Sequence, residues 1–196
     1  MKKSIFCLAL LSSLCVGANA FGGWTQWSGN DHWYKVISAP NGISWTDAQA
    51  ASVALGGTLA TVTSQGENDF VFGLINDDHW ESSNGLKWLG PWMGGYKGPN
   101  GTWHWVTGET WCYSDWGNDQ PDNSGGNETK LNWWYSGTAA NPSGYYAWND
   151  FPDEVSSASF GRVRAYIVER NTPVPEPASM TAMVLGALGL IKRRKK

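Results

Sequence analysis

Cysteine is scarce in this sequence, which argues against a domain held together by disulfides. Only three cysteines occur among 196 residues, and Cys7 and Cys15 lie in an N-terminal segment that we predict to be removed. Cys112 then stands alone, so residues 21–170 have no partner for an internal disulfide. Because Cys112 lies in an aromatic run at residues 110–113 and matches no catalytic motif, we predict a buried structural thiol.

Histidine and positive charge are sparse as well. The three histidines, His32, His79 and His104, show no paired spacing for a metal or a catalytic triad. Residues 21–170 carry 7 Lys and Arg against 16 Asp and Glu, a net charge of −9. Nucleic-acid binding needs basic surface to neutralise phosphates. The acidic body therefore argues against a nucleic-acid partner and fits cation binding.

The N-terminus has the pattern of a secretory signal. Lys2 and Lys3 precede an apolar stretch at residues 5–16, and residues 18–20 read Ala-Asn-Ala, a small-x-small cleavage pattern. The apolar stretch is too short for a spanning helix. We predict a signal peptide over 1–20 and a mature domain over 21–170.

The C-terminus has a second targeting pattern. A Pro-rich linker at 171–177 precedes an apolar segment at 178–191 and a basic cluster at 192–196. In this order the three parts resemble the PEP-CTERM sorting signal of bacterial exported proteins. The resemblance implies transient inner-membrane anchoring through 178–196, with the basic end in the cytoplasm. It also implies an exosortase-type peptidase as a partner, and a final location at the cell surface or in an extracellular matrix.

Two helix starts are visible in the first half of the domain. Ser44 with Asp47, and Ser64 with Glu67, have the spacing of capping boxes. A glycine pair at residues 56–57 ends the first helix. The residues predicted to face the core are Trp45, Ala48 and Leu55 on the first helix, and Val71, Leu74 and Ile75 on the second.

Strands are predicted before, between and after these helices, which gives an α+β fold. They lie at residues 32–37, 58–62, 102–106 and 162–169, and we expect the first and last to pair. Residues 115–150 are rich in Gly, Asn and Asp and are predicted to be largely loop, which at that length is usually functional. All 14 tryptophans lie within 21–170, and most are expected in the core.

The long loop contains a set of side-chain oxygens. Gln120, Asp122 and Glu128 come from one stretch, and Asn149 and Asp150 follow Trp148 in another. Calcium prefers six to eight oxygen ligands in flexible geometry. No His or Cys accompanies these residues, which disfavours zinc and copper. The predicted cofactor is therefore Ca²⁺.

These motifs and their surroundings resemble a C-type lectin-like domain over about residues 32–170. The resemblance rests on Gln120-Pro121-Asp122-Asn123, on Glu128 and on Trp148-Asn149-Asp150. Further marks are residues 56–62 and 64–69, Trp88-Leu89-Gly90, and Trp103-His104-Trp105. It implies a fold of two helices, small antiparallel sheets and a long ligand-binding loop.

The resemblance also implies a mechanism of sugar binding. A cis peptide before Pro121 would aim its neighbours at one calcium, which two vicinal sugar hydroxyls coordinate directly. Gln-Pro-Asp, in place of Glu-Pro-Asn, implies galactose or N-acetylgalactosamine. The implied metal ligands, which also contact the sugar, are Gln120, Asp122, Glu128, Asn149 and Asp150, and the implied structural residues are Pro121, Trp88, Gly90, Trp103 and Trp105.

Three departures from that family affect the expected site. The disulfide cysteines are absent, so the loop depends more on calcium for order. A Ser-Gly-Gly stretch follows the motif at 124–126, where galactose binders often have a stacking tryptophan. The segment between Glu128 and Asn149 is also longer than is typical of the family, through residues 136–142. The aromatic residues expected to stack on sugar instead are Trp133, Trp134, Tyr135 and Trp148.

Other functions compete with the lectin hypothesis. A glycosidase needs two carboxyl groups across a cleft, free to exchange protons, whereas carboxylates that bind one calcium are engaged as ligands, so we predict no enzymatic activity. Calcium that only orders the loop remains open. The alternative function is an adhesion or matrix protein that recognises other proteins through its tryptophan-rich surface.

Overall fold

The structure is a computed structural model that describes residues 20–21, 23–83, 86–87, 89–135, 145–155 and 161–172. Most of the predicted signal peptide, Trp88, the segment at 136–142 and the C-terminal 173–196 lie outside these residues. The described elements are β1 (Ala20–Phe21), β2 (Trp24–Gln26), β3 (Trp33–Ser38), α1 (Trp45–Ala54), β4 (Thr58–Leu59), α2 (Gln65–Phe72), β5 (Ser82–Ser83), β6 (Leu86–Lys87), β7 (Leu89–Lys97), β8 (Trp103–Trp105), β9 (Glu128–Tyr135), β10 (Tyr146–Pro152) and β11 (Ala165–Arg170), with short 3₁₀ turns at Asp77–His79 and Ser124–Gly126.

Most strands join in one sheet of nine. Its main path runs β1-β2-β3-β11-β7-β9-β10, with β4 beside β11 and β8 beside β7, while β5 and β6 form a separate pair. The pairs described are antiparallel except for the parallel contact between β11 and β7. The predicted pairing of the first and last strands is confirmed, because β3 and β11 pair from Ser38–Ala165 to Trp33–Arg170. The α+β class is confirmed with it.

Both predicted helix starts are confirmed. The Ser44 hydroxyl accepts a hydrogen bond from the N–H of Asp47, and the Ser64 hydroxyl accepts one from Glu67. Each satisfies a backbone donor that the first turn of a helix leaves without a partner. The core-facing prediction was wrong at Leu55, which is the C-cap of α1 and 43% exposed.

The second helix is shorter than its apolar pattern. Gly73 is the C-cap of α2, so Leu74 and Ile75 lie beyond the helix, although both pack against the core. Val71 is fully buried as predicted. The strand predicted over 58–62 is likewise shorter, since β4 covers Thr58–Leu59, although the N–H of Ala60 still donates to the carbonyl of Ile167 in β11.

Tryptophan makes up much of the core. Among the described residues eight tryptophans are buried, which confirms that the core takes the larger share. One cluster contains Trp105, Trp133 and Trp148, and a second contains Trp45 and Trp92. Aromatic rings bury a large area per residue, so they stabilise a domain that has only one cysteine in its described part.

Two features of the second half differ from expectation. Residues 115–127 are mostly turn and loop as predicted, but β9 and β10 later in the predicted loop form an antiparallel hairpin at the edge of the main sheet. β9 pairs with β7 on one side and β10 on the other, and this non-local pairing overrides the polar composition. Cys112 is exposed rather than buried, since its segment adds no strand to the sheet.

Candidate metal and sugar site

The hairpin of β9 and β10 forms the base of the site. Glu128 is the first residue of β9 and pairs with Pro152, and Asp150 pairs with Leu131. The connection from β8 returns over this end of the hairpin and brings Gln120 and Asp122 to it. Asp122 and Glu128 therefore meet Asp150, which lies 28 and 22 positions further along the sequence, at one edge of the sheet.

The backbone of the motif has two special conformations. The Gln120–Pro121 peptide bond is cis, which confirms the expectation drawn from the motif. Asn123 has a φ of 51° in the left-handed region, which asparagine tolerates better than most residues. Its side-chain oxygen accepts a hydrogen bond from the N–H of Glu128 at 3.1 Å, so Asn123 links the motif to the start of β9.

Three carboxylates converge in this place. One oxygen each from Asp122, Glu128 and Asp150 lie within 4.8 Å of one another. Asp122 is exposed, whereas Glu128 and Asp150 are buried. Like charges at this separation repel one another strongly. An oxygen-only set of three negative groups is the chemistry that a hard divalent cation fits.

Backbone N–H groups also hold the carboxylates in position. Asp150 accepts from Asp122 and from Asn123, each at 3.0 Å, through its two different oxygens. Ser124 donates to Glu128 at 2.8 Å and to Asp122 at 3.1 Å. The turn at 122–124 is therefore bound to all three acidic side chains.

The electrostatics of the cluster favour a positive ligand. Burial, a hydrogen bond with the Asp122 side chain and the charge of Asp150 raise the pKa of Glu128 to about 8. Burial also raises the pKa of Asp150, although backbone hydrogen bonds from Asn123, Asp122 and Asp150 itself oppose that shift. A carboxyl that retains its proton near neutral pH indicates uncompensated negative charge, which a cation would relieve.

The two predicted amide ligands lie beside this cluster. The side-chain carbonyl oxygen of Gln120 accepts a hydrogen bond from the backbone N–H of Asp122 at 3.3 Å. Asn149 is 3% exposed, and its amide nitrogen donates to Asn132 at 3.2 Å and to the carbonyl of Asp150. Asp122, Glu128 and Asp150 are thus brought together, and Gln120 and Asn149 adjoin them in the sequence and through hydrogen bonds.

The predicted role of Trp148 in stacking on sugar is corrected by the structure. Trp148 is fully buried, and its indole N–H donates to Asn68 of α2 at 2.9 Å. Its backbone N–H and carbonyl bond to Asp115 and Gly117 of the connection. Because both ring faces are enclosed, Trp148 anchors the connection to α2 and β10 and offers no surface to a ligand.

The neighbouring aromatic residues of β9 are also core residues. Trp133 is 1% exposed and lies 5.1 Å from the Phe72 ring, and Tyr135 is 8% exposed. Trp134 is half-buried and packs against the second core cluster. The predicted stacking of Trp133 or Tyr135 on sugar therefore conflicts with their burial.

An exposed aromatic residue that the sequence patterns did not single out lies close to the motif. Tyr145 is 41% exposed, and its hydroxyl accepts a hydrogen bond from the N–H of Asn118 at 2.5 Å. Asn118 belongs to a turn closed by a 3.0 Å hydrogen bond from Gln120 to Gly117. Tyr145 is thereby tied to the turn that ends at the first predicted ligand.

The predicted structural residues support this arrangement where they are described. A Cβ at Gly90 would lie 2.6 Å from Trp133 and 2.7 Å from Trp80, so β7 requires glycine there. Trp105 is buried and stacks on Trp111 at 4.4 Å, and Trp103 lies 4.8 Å from Trp116. Both tryptophans of β8 thus pack against the connection that carries the motif.

Comparison with known proteins agrees with this architecture. The Lectin C-type domain family matches residues 41–157, and the PEP-CTERM protein-sorting motif matches residues 173–196. Perlucin-like protein of Mytilus galloprovincialis is 32% identical over 149 residues, which cover 74% of this chain and 84% of that protein. The galactose-specific lectin nattectin of Thalassophryne nattereri is 30% identical over 124 residues, covering 59% of this chain and 72% of nattectin.

The solved structures give the same fold. The C-type carbohydrate-recognition domain of cow CD23 superimposes with a TM-score of 0.57 at 19% identity, covering 80% of this chain and 99% of that domain. The fold and the family match together define a carbohydrate-binding module of a non-enzymatic class. This chain belongs to the C-type lectin domain family and ends in a PEP-CTERM sorting motif.

The predicted membrane anchor lies at 178–196, outside the described residues. Within the residues that are described, no helix is long and apolar enough to cross a membrane.

Proposed function

We propose that this domain is an exported, calcium-dependent lectin that binds sugars of the galactose type. The observation that carries the proposal is the convergence of Asp122, Glu128 and Asp150 behind the cis Gln120–Pro121 bond. Calcium would be held by these carboxylates with the side-chain oxygens of Gln120 and Asn149. Bound calcium would supply coordination sites for sugar hydroxyls, and the carboxylates and the Gln120 amide would exchange hydrogen bonds with those hydroxyls.

The galactose preference rests on the motif and is supported by one relative. Gln120 and Asp122 place an amide and an acid in the order that the family uses for galactose-type sugars, and nattectin is named as galactose-specific. We propose that Tyr145 supplies the aromatic contact with the sugar, because it is the exposed ring tied to the turn at Gln120. Aromatic faces pack well against apolar surface.

Thermal unfolding of the purified protein tests this function. The midpoint would be measured in chelator, in calcium, and in calcium with galactose or mannose. A ligand that binds only the native state adds to the free energy of unfolding by mass action, by about 2.7 kcal/mol at 100 times Kd, and so raises the midpoint. We expect the midpoint to rise with calcium. It should rise further when galactose is added to the calcium, but not when mannose is added. No response to calcium would contradict the site, and a rise with calcium alone would favour the protein-recognition alternative.

We further propose that the two termini direct export. The N-terminal segment at 1–20 would start translocation, and the segment at 173–196 would hold the chain at the inner membrane until an exosortase-type peptidase removes it. Fractionation of cells that produce the full chain, with and without 173–196, tests this order. We expect the full chain to pass through a membrane-bound precursor that the shortened chain lacks.

A further inference from the structure

Asn132 is a polar residue in the middle of the sheet. It belongs to β9, is 0% exposed, and lies opposite Trp92 of β7 and Asn149 of β10. The neighbouring residues Leu131 and Trp133 are core hydrophobic residues. A buried amide without partners destabilises the fold, so its hydrogen bonds show what Asn132 does.

The Asn132 side chain is engaged at both ends. Its amide nitrogen donates to the carbonyl of Trp133 at 2.9 Å. Its carbonyl oxygen accepts from the amide nitrogen of Asn149 at 3.2 Å. The first bond fixes the Asn132 amide on its own strand, so the oxygen that it offers to β10 is held in one orientation.

The hydrogen bonds of Asn149 complete the account. An asparagine amide has two hydrogens and one carbonyl oxygen. The Asn149 nitrogen donates one hydrogen to Asn132 and the other to the carbonyl of Asp150. Both hydrogens are therefore used within the protein, and the carbonyl oxygen of Asn149 is the atom of that amide suited to a cation.

We infer that Asn132 is a positioning residue for the calcium site, because it holds the Asn149 amide in the orientation that offers its oxygen as a ligand. The inference rests on the proposed function. Residues that orient metal ligands typically change metal affinity by about 10–100-fold when they are removed. Asn132 touches neither the carboxylates nor the motif in the bonds described, so it acts through Asn149.

A double-mutant cycle on calcium affinity tests the inference. Calcium would be titrated calorimetrically into wild type, Asn132→Ala, Asn149→Ala and the double variant. We expect Asn132→Ala to raise the calcium Kd about 10–100-fold. In the Asn149→Ala background the same change should alter Kd by less than about 3-fold, because the residue through which it acts is gone.

A matched control separates positioning from stability. Ser52 is fully buried in α1, and its hydroxyl donates to the carbonyl of Ala48 at 2.8 Å. Ser52→Ala removes a buried hydrogen bond far from the hairpin, so it should lower the unfolding midpoint in chelator without changing the calcium Kd.

The outcomes distinguish this inference from the function it rests on. If wild type binds calcium and Asn132→Ala binds it equally well, the inference is wrong and the calcium site stands. If Asn132→Ala weakens binding equally in both backgrounds, Asn132 does not act through Asn149 and the inference is also wrong. If wild type binds no calcium, both proposals are overturned.

Discussion

The backbone N–H of Asp122 donates a 3.0 Å hydrogen bond to Asp150, 28 residues further along the chain. The N–H of Asn123 occupies the other oxygen of the same carboxylate. Asp150 is fully buried in β10, so these two bonds attach the motif to the sheet. One side chain thus serves both the position of the loop and the charge of the cation site.

Asp150 should therefore be the most sensitive ligand to substitution. Asp150→Asn keeps one acceptor for the loop but removes one of three converging charges. Since calcium affinity follows the number of charged ligands, we expect the calcium Kd to rise on the order of 100-fold. Titration calorimetry measures the change directly.

A carboxylate in the same connection gives the control for that variant. Asp119 is exposed and has a φ of 62°, a conformation that asparagine also tolerates. Asp119→Asn makes the same change of charge outside the cluster, so calcium affinity should stay within about 2-fold of wild type. Equal losses in both variants would indicate a general effect of net charge.

Stability without calcium should depend on pH. The pKa of Glu128 is raised to about 8 and that of Glu169 to about 7, both chiefly by burial. Between the ordinary value of 4.5 and these values, the folded chain holds protons that the unfolded chain has released. Stability therefore falls as pH rises through this range. We expect the unfolding midpoint in chelator to decrease from pH 5 to pH 8.

Calcium should reverse the contribution of Glu128. A metal ligand must lose its proton to bind, so calcium affinity should weaken as pH falls below about 8, by up to about tenfold per unit. Glu128→Gln should bind calcium weakly. In chelator, its unfolding midpoint should decrease less from pH 5 to pH 8 than that of wild type, because the contribution of Glu128 is removed. A calcium Kd that is constant from pH 5 to 8 would contradict the assignment of Glu128 as a ligand.

Local signals in the sequence predicted the local features of the structure. The caps at Ser44 and Ser64 depend on a few adjacent residues, and both appear as predicted, because the hydroxyl itself accepts the backbone N–H. The cis bond before Pro121 was expected from the resemblance of the motif to the C-type lectin family, since proline permits a cis bond without requiring it. Spacing therefore located both helix starts and the motif.

Non-local features could not be predicted in the same way. β9 is a strand because β7 and β10 pair with it on either side, and the sequence of residues 128–135 alone does not predict those partners. The burial of Trp133 and Trp148 follows from that pairing, so tryptophans expected on the surface became core. Tyr145 is the opposite case, an exposed ring that the sequence did not single out, because the packing of the sheet decides which rings are covered.

Lys130 should stabilise the domain through Trp45. Its ammonium lies 4.1 Å from the centre of the Trp45 ring. Burial lowers the pKa of Lys130, and the negative charge of Asp153 partly opposes that shift. Asp153 also accepts hydrogen bonds from the backbone and hydroxyl of Thr46, so β9, β10 and α1 meet here. In a domain without disulfides among its described residues, this contact replaces part of a covalent restraint.

Removal of that charge has a measurable cost. Lys130→Met keeps the apolar stem over Trp45 and deletes the ammonium. Because burial of the ammonium offsets part of the cation–π contact, we expect a loss of no more than about 1 kcal/mol in the free energy of unfolding, measured by urea denaturation. Lys130→Ala should lose more, because the stem is removed as well. Equal stability of wild type and Lys130→Met would show that only packing matters.

The order of amide and acid in the motif should set sugar preference. Gln120→Glu with Asp122→Asn exchanges the two groups without changing net charge, so calcium binding should persist. We expect the relative affinity for galactose and mannose to shift towards mannose by about 10-fold or more, on the scale of one exchanged hydrogen-bond pair. Competition against an immobilised galactoside measures this ratio. An unchanged preference would place specificity elsewhere.

Tyr145 should affect sugar affinity and leave calcium affinity unchanged. Its ring is exposed and its hydroxyl is tied to Asn118, so it lies over the turn that leads to Gln120 without belonging to the carboxylate cluster. Tyr145→Ala removes the ring, and we expect sugar affinity to fall roughly 2- to 10-fold, the scale of one aromatic contact.

Tyr145→Phe separates the ring from its tether. The ring face remains, but the N–H of Asn118 loses its acceptor, so sugar affinity should fall less than in Tyr145→Ala. Titration of calcium and of galactose into both variants tests the two contributions separately. If calcium affinity falls in parallel with sugar affinity, Tyr145 acts by ordering the loop, and its assignment as a sugar contact is wrong.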